Sequence, residues 1–211
     1  MKLNGIEKAL MNNPIRAALQ RWYEAPLLER LGGRLDGLQV LEIGCGRGVG
    51  TALLFEHFGA HRVVACDLDP TMVVLARQRL AAYGSDRLVL AVADAAAIAA
   101  PDASFDAVVD FGIIHHIPEW PAALREICRV LRPGGRFFFE EVTDHALRRW
   151  SYRTFLDHPR DNRFSAQAFV AEVERHGMPV TQTVERFFGD FVIGVGRRAG
   201  SLAAIPVSQD S

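Results

Sequence analysis

Short apolar runs alternate with segments of helical periodicity along most of the chain. That rhythm predicts an α/β protein built on a largely parallel sheet. Leu38 to Ile43 reads as a first buried strand that ends at a glycine cluster. Thr51 to Phe58 follows as a helix with Leu53, Leu54 and Phe58 on its apolar side. A second strand, Arg62 to Cys66, stops at Asp67-Leu68-Asp69-Pro70, where Asp69 can cap a helix and Pro70 suits its first turn. Arg87 to Val92 and Phe105 to Phe111 read as the third and fourth strands, with the Ala-rich stretch Ala95 to Ala100 between them left unassigned. A helix after Pro121 carries Leu124, Ile127, Cys128 and Leu131 and ends at Pro133-Gly134-Gly135. The aromatic strand Arg136 to Val142 comes next, then a helix from Ser165 to His176. Two β-like runs, Val180 to Phe187 and Phe191 to Gly196, close the pattern, with Gly189-Asp190 as the hairpin turn between them.

Two regions break the rhythm. Amphipathic helix is predicted over roughly Pro14 to Leu31, bearing Trp22 and Tyr23. The segment Thr143 to Phe164 is polar and irregular, with His145, Trp150, Tyr152, His158, Arg160 and Arg163. The expected organisation is therefore one domain over residues 1–198 and a loose tail over 199–211. Within the domain, 1–34 forms a helical cap and 143–164 an insertion.

Composition narrows the classes. With 211 residues, 49% hydrophobic and 23% charged, the chain has the make-up of an ordinary globular domain. A formal charge of −1 supplies no bulk attraction to nucleic acid. No apolar run is long enough for a membrane-spanning helix, and Met1 to Met11 lacks an apolar signal core. Cys45, Cys66 and Cys128 form an odd set without metal-type spacing, which fits a reducing cytoplasm. Cys45 and Cys66 read as small packing residues.

Glu42-Ile43-Gly44-Cys45-Gly46-Arg47-Gly48 joins the first strand to a helix. Glycines there let a ligand approach the backbone, and the helix N-terminus beyond offers unpaired N–H groups. Asp67, about twenty residues on, stands where its two oxygens can accept from both hydroxyls of a ribose. The third glycine of the dinucleotide fingerprint is missing: Val49 or Thr51 stands there, which speaks against NAD and FAD. The Gly-Lys-Ser/Thr ending of a phosphate loop is absent as well.

Leu41-Glu42-Ile43-Gly44-Cys45-Gly46-Arg47-Gly48 resembles the first motif of class I S-adenosylmethionine-dependent methyltransferases. Phe105-Asp106-Ala107-Val108-Val109 with Ile114-His115-His116-Ile117 is similar to their fourth-strand motif, and Arg129-Val130-Leu131-Arg132-Pro133-Gly134-Gly135 to the stretch entering their fifth strand. The resemblance covers roughly Leu35 to Val142 and is nearest to small-molecule methyltransferases of the ubiquinone-biosynthesis type. It implies a Rossmann-like seven-stranded mixed sheet of order 3-2-1-4-5-7-6 with helices on both faces. The implied function is methyl transfer from S-adenosylmethionine, leaving S-adenosylhomocysteine, to a small-molecule O, N, C or S nucleophile. A non-catalytic S-adenosylmethionine binder on the same fold is the alternative, and an NAD(P)-dependent oxidoreductase stands further off. No nucleic-acid partner and no metal are expected, and the chain is expected to be a monomer or homodimer.

The resemblance also implies roles. Gly44, Gly46 and Gly48 would meet the methionine end of the cofactor, and Glu42 would steady the loop or face the cofactor's ammonium. Asp67 matches the ribose acid, with Leu68 and Met72 beside the adenine; Asp94 matches the acceptor of the adenine amino group, and Ala95 a neighbouring backbone contact. Asp110 and Phe111 match the backbone that meets the methionine ammonium. His115 is the candidate base, since an acceptor hydroxyl or amine must shed a proton, although the His-His pair could also only shape the pocket. Glu140 is a second catalytic candidate, and Tyr23, His116 and Glu141 are candidates for contact with substrate. Alternation sends Glu140 and Glu141 to opposite faces. Binding a basic substrate, orienting His115 and forming a structural ion pair all remain open for them. The insertion and the N-terminal helix would cover the substrate.

Overall fold

The computed structural model describes residues 13–148 and 162–200. Of the insertion residues singled out above, Trp150, Tyr152, His158 and Arg160 lie outside this range, as does the tail from residue 201. The chain enters through helix α1 (Pro14–Leu19), a π-helical turn (Gln20–Glu24) and α2 (Ala25–Gly32). Then follow β1 (Gln39–Ile43), α3 (Val49–Glu56), β2 (Arg62–Asp67), α4 (Pro70–Arg79), β3 (Leu88–Val92) and β4 (Phe105–Phe111). A 3-10 turn (Ile114–His116) leads to α5 (Trp120–Val130), β5 (Leu131–Val142), α6 (Asp144–Leu147), α7 (Ala166–Arg175), β6 (Val180–Arg186) and β7 (Phe191–Arg197).

The seven strands form one sheet in the order β3-β2-β1-β4-β5-β7-β6, as the resemblance implied. Strands β1 to β5 pair in parallel, and β7 runs antiparallel to both β5 and β6. Phe137, Phe138 and Phe139 on β5 explain how both faces are covered. Strand alternation sends Phe138 to one face, where it meets Phe58, and Phe137 and Phe139 to the other. On that second face Phe139 packs on Phe169 of α7, which in turn touches Trp120 and Phe164. All three β5 rings are fully buried, and each contributes on the order of 2–3 kcal/mol of hydrophobic stabilisation.

Boundaries shift where turn chemistry outweighs hydrophobic pattern. Helix α3 starts two residues earlier than expected because Gly48, at φ +80°, takes the left-handed capping conformation. Strand β5 already begins at Leu131, so Pro133-Gly134-Gly135 sits inside the extended run, and the pairing with β4 slips between Phe105 and Ala107. The β6–β7 connection is also longer than the expected two-residue turn. Phe187 and Phe188 take positive φ (51° and 61°) ahead of Gly189, and Phe188 is 95% exposed. Ala95 to Ala100 forms turns rather than a regular element. No helix among the described residues is long and apolar enough to cross a membrane.

Candidate functional site

The strand order reverses direction between β1 and β4, and ligands of open α/β sheets lie at that point, outside the carboxyl ends of the strands. A cavity of about 430 Å³ opens there, within the usual range of small-molecule sites. Its floor is the loop after β1. Gly46 lines it at φ +51°, a left-handed backbone that side chains disfavour, and an added Cβ would meet nothing within 4 Å. Gly50, in the first turn of α3, has no such room, because a Cβ would fall 2.2 Å from Glu42 Oε1 and 2.6 Å from the Phe111 ring.

Asp67 ends β2 on the cavity wall. Its Oδ2 accepts from Gly46 N at 2.9 Å and its Oδ1 from Asp69 N at 2.8 Å. The carboxylate expected to serve a ribose thus also clamps the glycine loop. An ionised carboxylate has about four lone-pair directions, so each oxygen keeps capacity for a ligand hydroxyl. Asp69 caps α4 through Thr71 N at 3.0 Å, as expected. Asp94 accepts from Ala96 N at 2.9 Å and lines the cavity with Ala95, Leu68 and Met72, the apolar slot expected for a flat ring.

Glu42 lines the cavity although it is only 2% exposed, and Thr51 Oγ1 donates to it. Burial pushes its carboxyl up to about 8, against the Thr51 bond and helped by the charges of Asp67 and Asp110. Phe111, Gly112 and Ile113 complete the side towards β4. Burial pushes the thiols of Cys45 and Cys66 upward, which leaves both as packing groups.

Several predicted site residues sit elsewhere. Among the described residues that line the cavity, Gly48, Asp110, His115, Glu140, Glu141 and Tyr23 do not appear. A Cβ on Gly48 would strike Leu80 and Ala76, so this glycine serves helix packing. The Tyr23 hydroxyl accepts from Arg186 Nε at 2.7 Å, tying the N-terminal helices to β6 away from the cavity lining. Glu140, 4% exposed, turns to the N-terminal helix, where Arg16 Nη2 lies 3.5 Å from its Oε1 and also pairs Glu24 through Nη1. Its carboxyl is held well above the usual range by burial and by Glu24. It therefore faces Arg16 and Glu24 and does not line the cavity.

Glu141 is fully buried and accepts from Ile114 N at 2.6 Å, His115 N at 3.1 Å and His115 Nδ1 at 2.5 Å. It therefore bonds the turn after β4, not a ligand. Asp110 Oδ1 accepts from Gly112 N at 3.0 Å and Ile113 N at 2.9 Å. Its carboxyl is raised well above the usual range, by burial first and then by the Glu141 charge, and its Oδ2 is buried with no hydrogen-bond partner among the described residues. Of the histidine pair, His116 lines the cavity; the His115 ring lies behind it, centroids 4.1 Å apart. The described residues contain no cluster suited to a metal ion.

Sequence reasoning missed Arg16, Gln20, Arg47 and Glu119, all on the cavity wall. Arg16 carried no signal, because one of its two acids, Glu140, is 124 residues away. Arg47 could have been noticed, as a cation flanked by loop glycines at a helix entrance.

Residues 40–135 match the model of a methyltransferase domain family. A ubiquinone/menaquinone biosynthesis C-methyltransferase from Paracoccus denitrificans is 33% identical over 136 residues, covering 64% of this chain and 54% of that protein. A fatty-acid O-methyltransferase from Mycolicibacterium smegmatis is 35% identical over 108 residues, covering 51% and 38% respectively. The chain thus spans about half or less of the length of these curated relatives. A solved S-adenosylmethionine-dependent methyltransferase from Aquifex aeolicus superposes with a TM-score of 0.72 at 21% identity, covering 93% of this chain and 98% of that one. The methyltransferase resemblance read from the sequence is borne out.

Proposed function

We propose that this chain is an S-adenosylmethionine-dependent methyltransferase acting on a small molecule. The observation that carries the reading is the acid-lined cavity over the Gly44–Gly48 loop, with Glu42, Asp67 and Asp94 at the ends of successive parallel strands. The donor, when bound, supplies an activated methyl group on a sulfonium. Its positive charge and its ammonium suit a wall that holds the buried carboxyl of Glu42. The residues fit the group part by part. Asp67 serves the ribose, while Asp94 and Ala95 meet the edge of the adenine between Leu68 and Met72. Glu42 with the backbone around Phe111 faces the ammonium, and Arg16 or Arg47 the carboxylate.

Methyl transfer is an in-line displacement, so the protein's main contribution is to hold the two reactants in line and dry. The wall formed by Ile113, His116, Ile117 and Pro118, away from the adenine slot, is assigned to the acceptor. An acceptor with an O–H or N–H proton finds a titratable imidazole there in His116.

Incubation with methyl-labelled donor separates the readings. We expect label in the small-molecule fraction when a panel of fatty acids, quinols and amines is offered. Label that enters only RNA, DNA or protein would refute the small-molecule assignment, and tight donor binding without any transfer would favour the non-catalytic alternative.

A further inference from the structure

We propose that Glu141 is a positioning residue of this site: it holds His115 in the Nδ1–H form and fixes the turn that carries His116 into the cavity. The functional meaning of this role rests on the methyltransferase reading, whereas its physical content does not. Strand β4 ends at Phe111, paired with Glu140 on β5. Glu141 is one step beyond the last β4 partner, so its side chain meets the turn Ile114–His116 where a neighbouring strand would otherwise continue. One carboxylate oxygen takes Ile114 N, and the other takes His115 N together with His115 Nδ1. Two backbone bonds to a buried acid pin the turn at its start, and His116 follows directly.

The chemistry of the acceptor decides the tautomer. Burial pushes the Glu141 carboxyl up to about 7, but a backbone N–H on each oxygen favours the ionised form. An ionised carboxylate only accepts, which assigns the hydrogen to the nitrogen 2.5 Å from Glu141 Oε2 and the lone pair to Nε2. Asp110 flanks Glu141 from β4 and holds Gly112 N and Ile113 N, the residues just ahead of the turn. The charged and titratable groups facing His115 are thus Glu141 from β5, Asp110 from β4 and His116 from its own turn. The same logic of an acid behind a histidine sets imidazole orientation in hydrolytic triads. Here it places an oriented, basic ring behind the cavity wall.

The test uses the whole chain, labelled with ¹⁵N-histidine and saturated with S-adenosylhomocysteine. In the wild type we expect a slowly exchanging, strongly downfield Nδ1 proton on His115. In Glu141→Gln that proton should lose its downfield shift, and the His115 titration should move down by about one pH unit or more. Affinity for S-adenosylhomocysteine should change less than threefold, because Asp67, Asp94 and the glycine loop are untouched. Asp110→Asn keeps an acceptor for Gly112 and Ile113 and leaves the Glu141–His115 contact in place, so it should retain the downfield proton. A wild-type His115 protonated on Nε2, or an unchanged proton and titration in Glu141→Gln, would overturn the proposal. If Glu141→Gln does not fold, the wild-type tautomer and its retention in Asp110→Asn decide. Failure of the wild type to bind S-adenosylhomocysteine would reject the methyltransferase reading and leave the tautomer result standing.

Discussion

Asp67→Ala is expected to weaken binding of S-adenosylhomocysteine roughly 10- to 100-fold. Hydrogen bonds to a charged group contribute about 1.5–3 kcal/mol, and Asp67 makes two kinds of them. Its carboxylate is assigned to the ribose hydroxyls, and the same oxygens hold Gly46 N and Asp69 N at 2.9 and 2.8 Å. Removing them loses a ligand contact and loosens the loop that shapes the floor of the cavity. Asp67→Asn should do nearly as badly, since an amide must turn its NH2 towards one of two backbone N–H groups. Tyr23→Phe, which removes only the hydroxyl that Arg186 donates to, should bind as the wild type does. Calorimetric titration of the three variants checks the ranking, and equal affinity of Asp67→Ala and the wild type would remove Asp67 from the site.

The ligand-free protein is expected to lose stability as pH rises from about 5 to 8, with Glu42 as a main cause. Its carboxyl titrates near 8 in the folded chain and near 4.5 as the ordinary value. A raised acid pKa means that the folded state holds the proton more tightly than the unfolded state. Between those two values each step up in pH therefore costs the folded state, and the loss levels off above about 8. A shift of about 3.5 units corresponds to at most roughly 5 kcal/mol, or about 10–20 °C in melting temperature for a chain of this size. Water entering the cavity reduces that bound. Glu42→Gln should flatten the slope and raise the melting temperature at pH 8.5, while weakening the binding of S-adenosylmethionine. A Glu42→Gln protein with the wild-type pH profile would contradict the assignment.

The parts of the molecule legible in the sequence are those governed by local rules. The five parallel strands announced themselves as short apolar runs, and Asp69-Pro70 marked a helix start through capping chemistry that holds in the structure. Gly44, Gly46, Asp67, Asp94 and Phe111 were legible because the loop and strand ends that carry them follow from topology; all five line the cavity. Glu140 and Glu141 were harder. Alternation correctly sent them to opposite sides, but it could not tell which partner each would find. Arg16 claims Glu140, and the turn after β4 claims Glu141. Both partnerships join residues more than twenty positions apart, and such long-range pairing of charges leaves no periodic trace. The β6–β7 turn failed for a different reason: two phenylalanines occupy a backbone region that their side chains disfavour.

The most direct test of the central claim is calorimetric titration of the wild-type chain with S-adenosylhomocysteine and, separately, with NAD and NADP. One-site binding of S-adenosylhomocysteine with no heat from either dinucleotide is the predicted result. Saturable binding of a dinucleotide, with S-adenosylhomocysteine inert, would contradict the account.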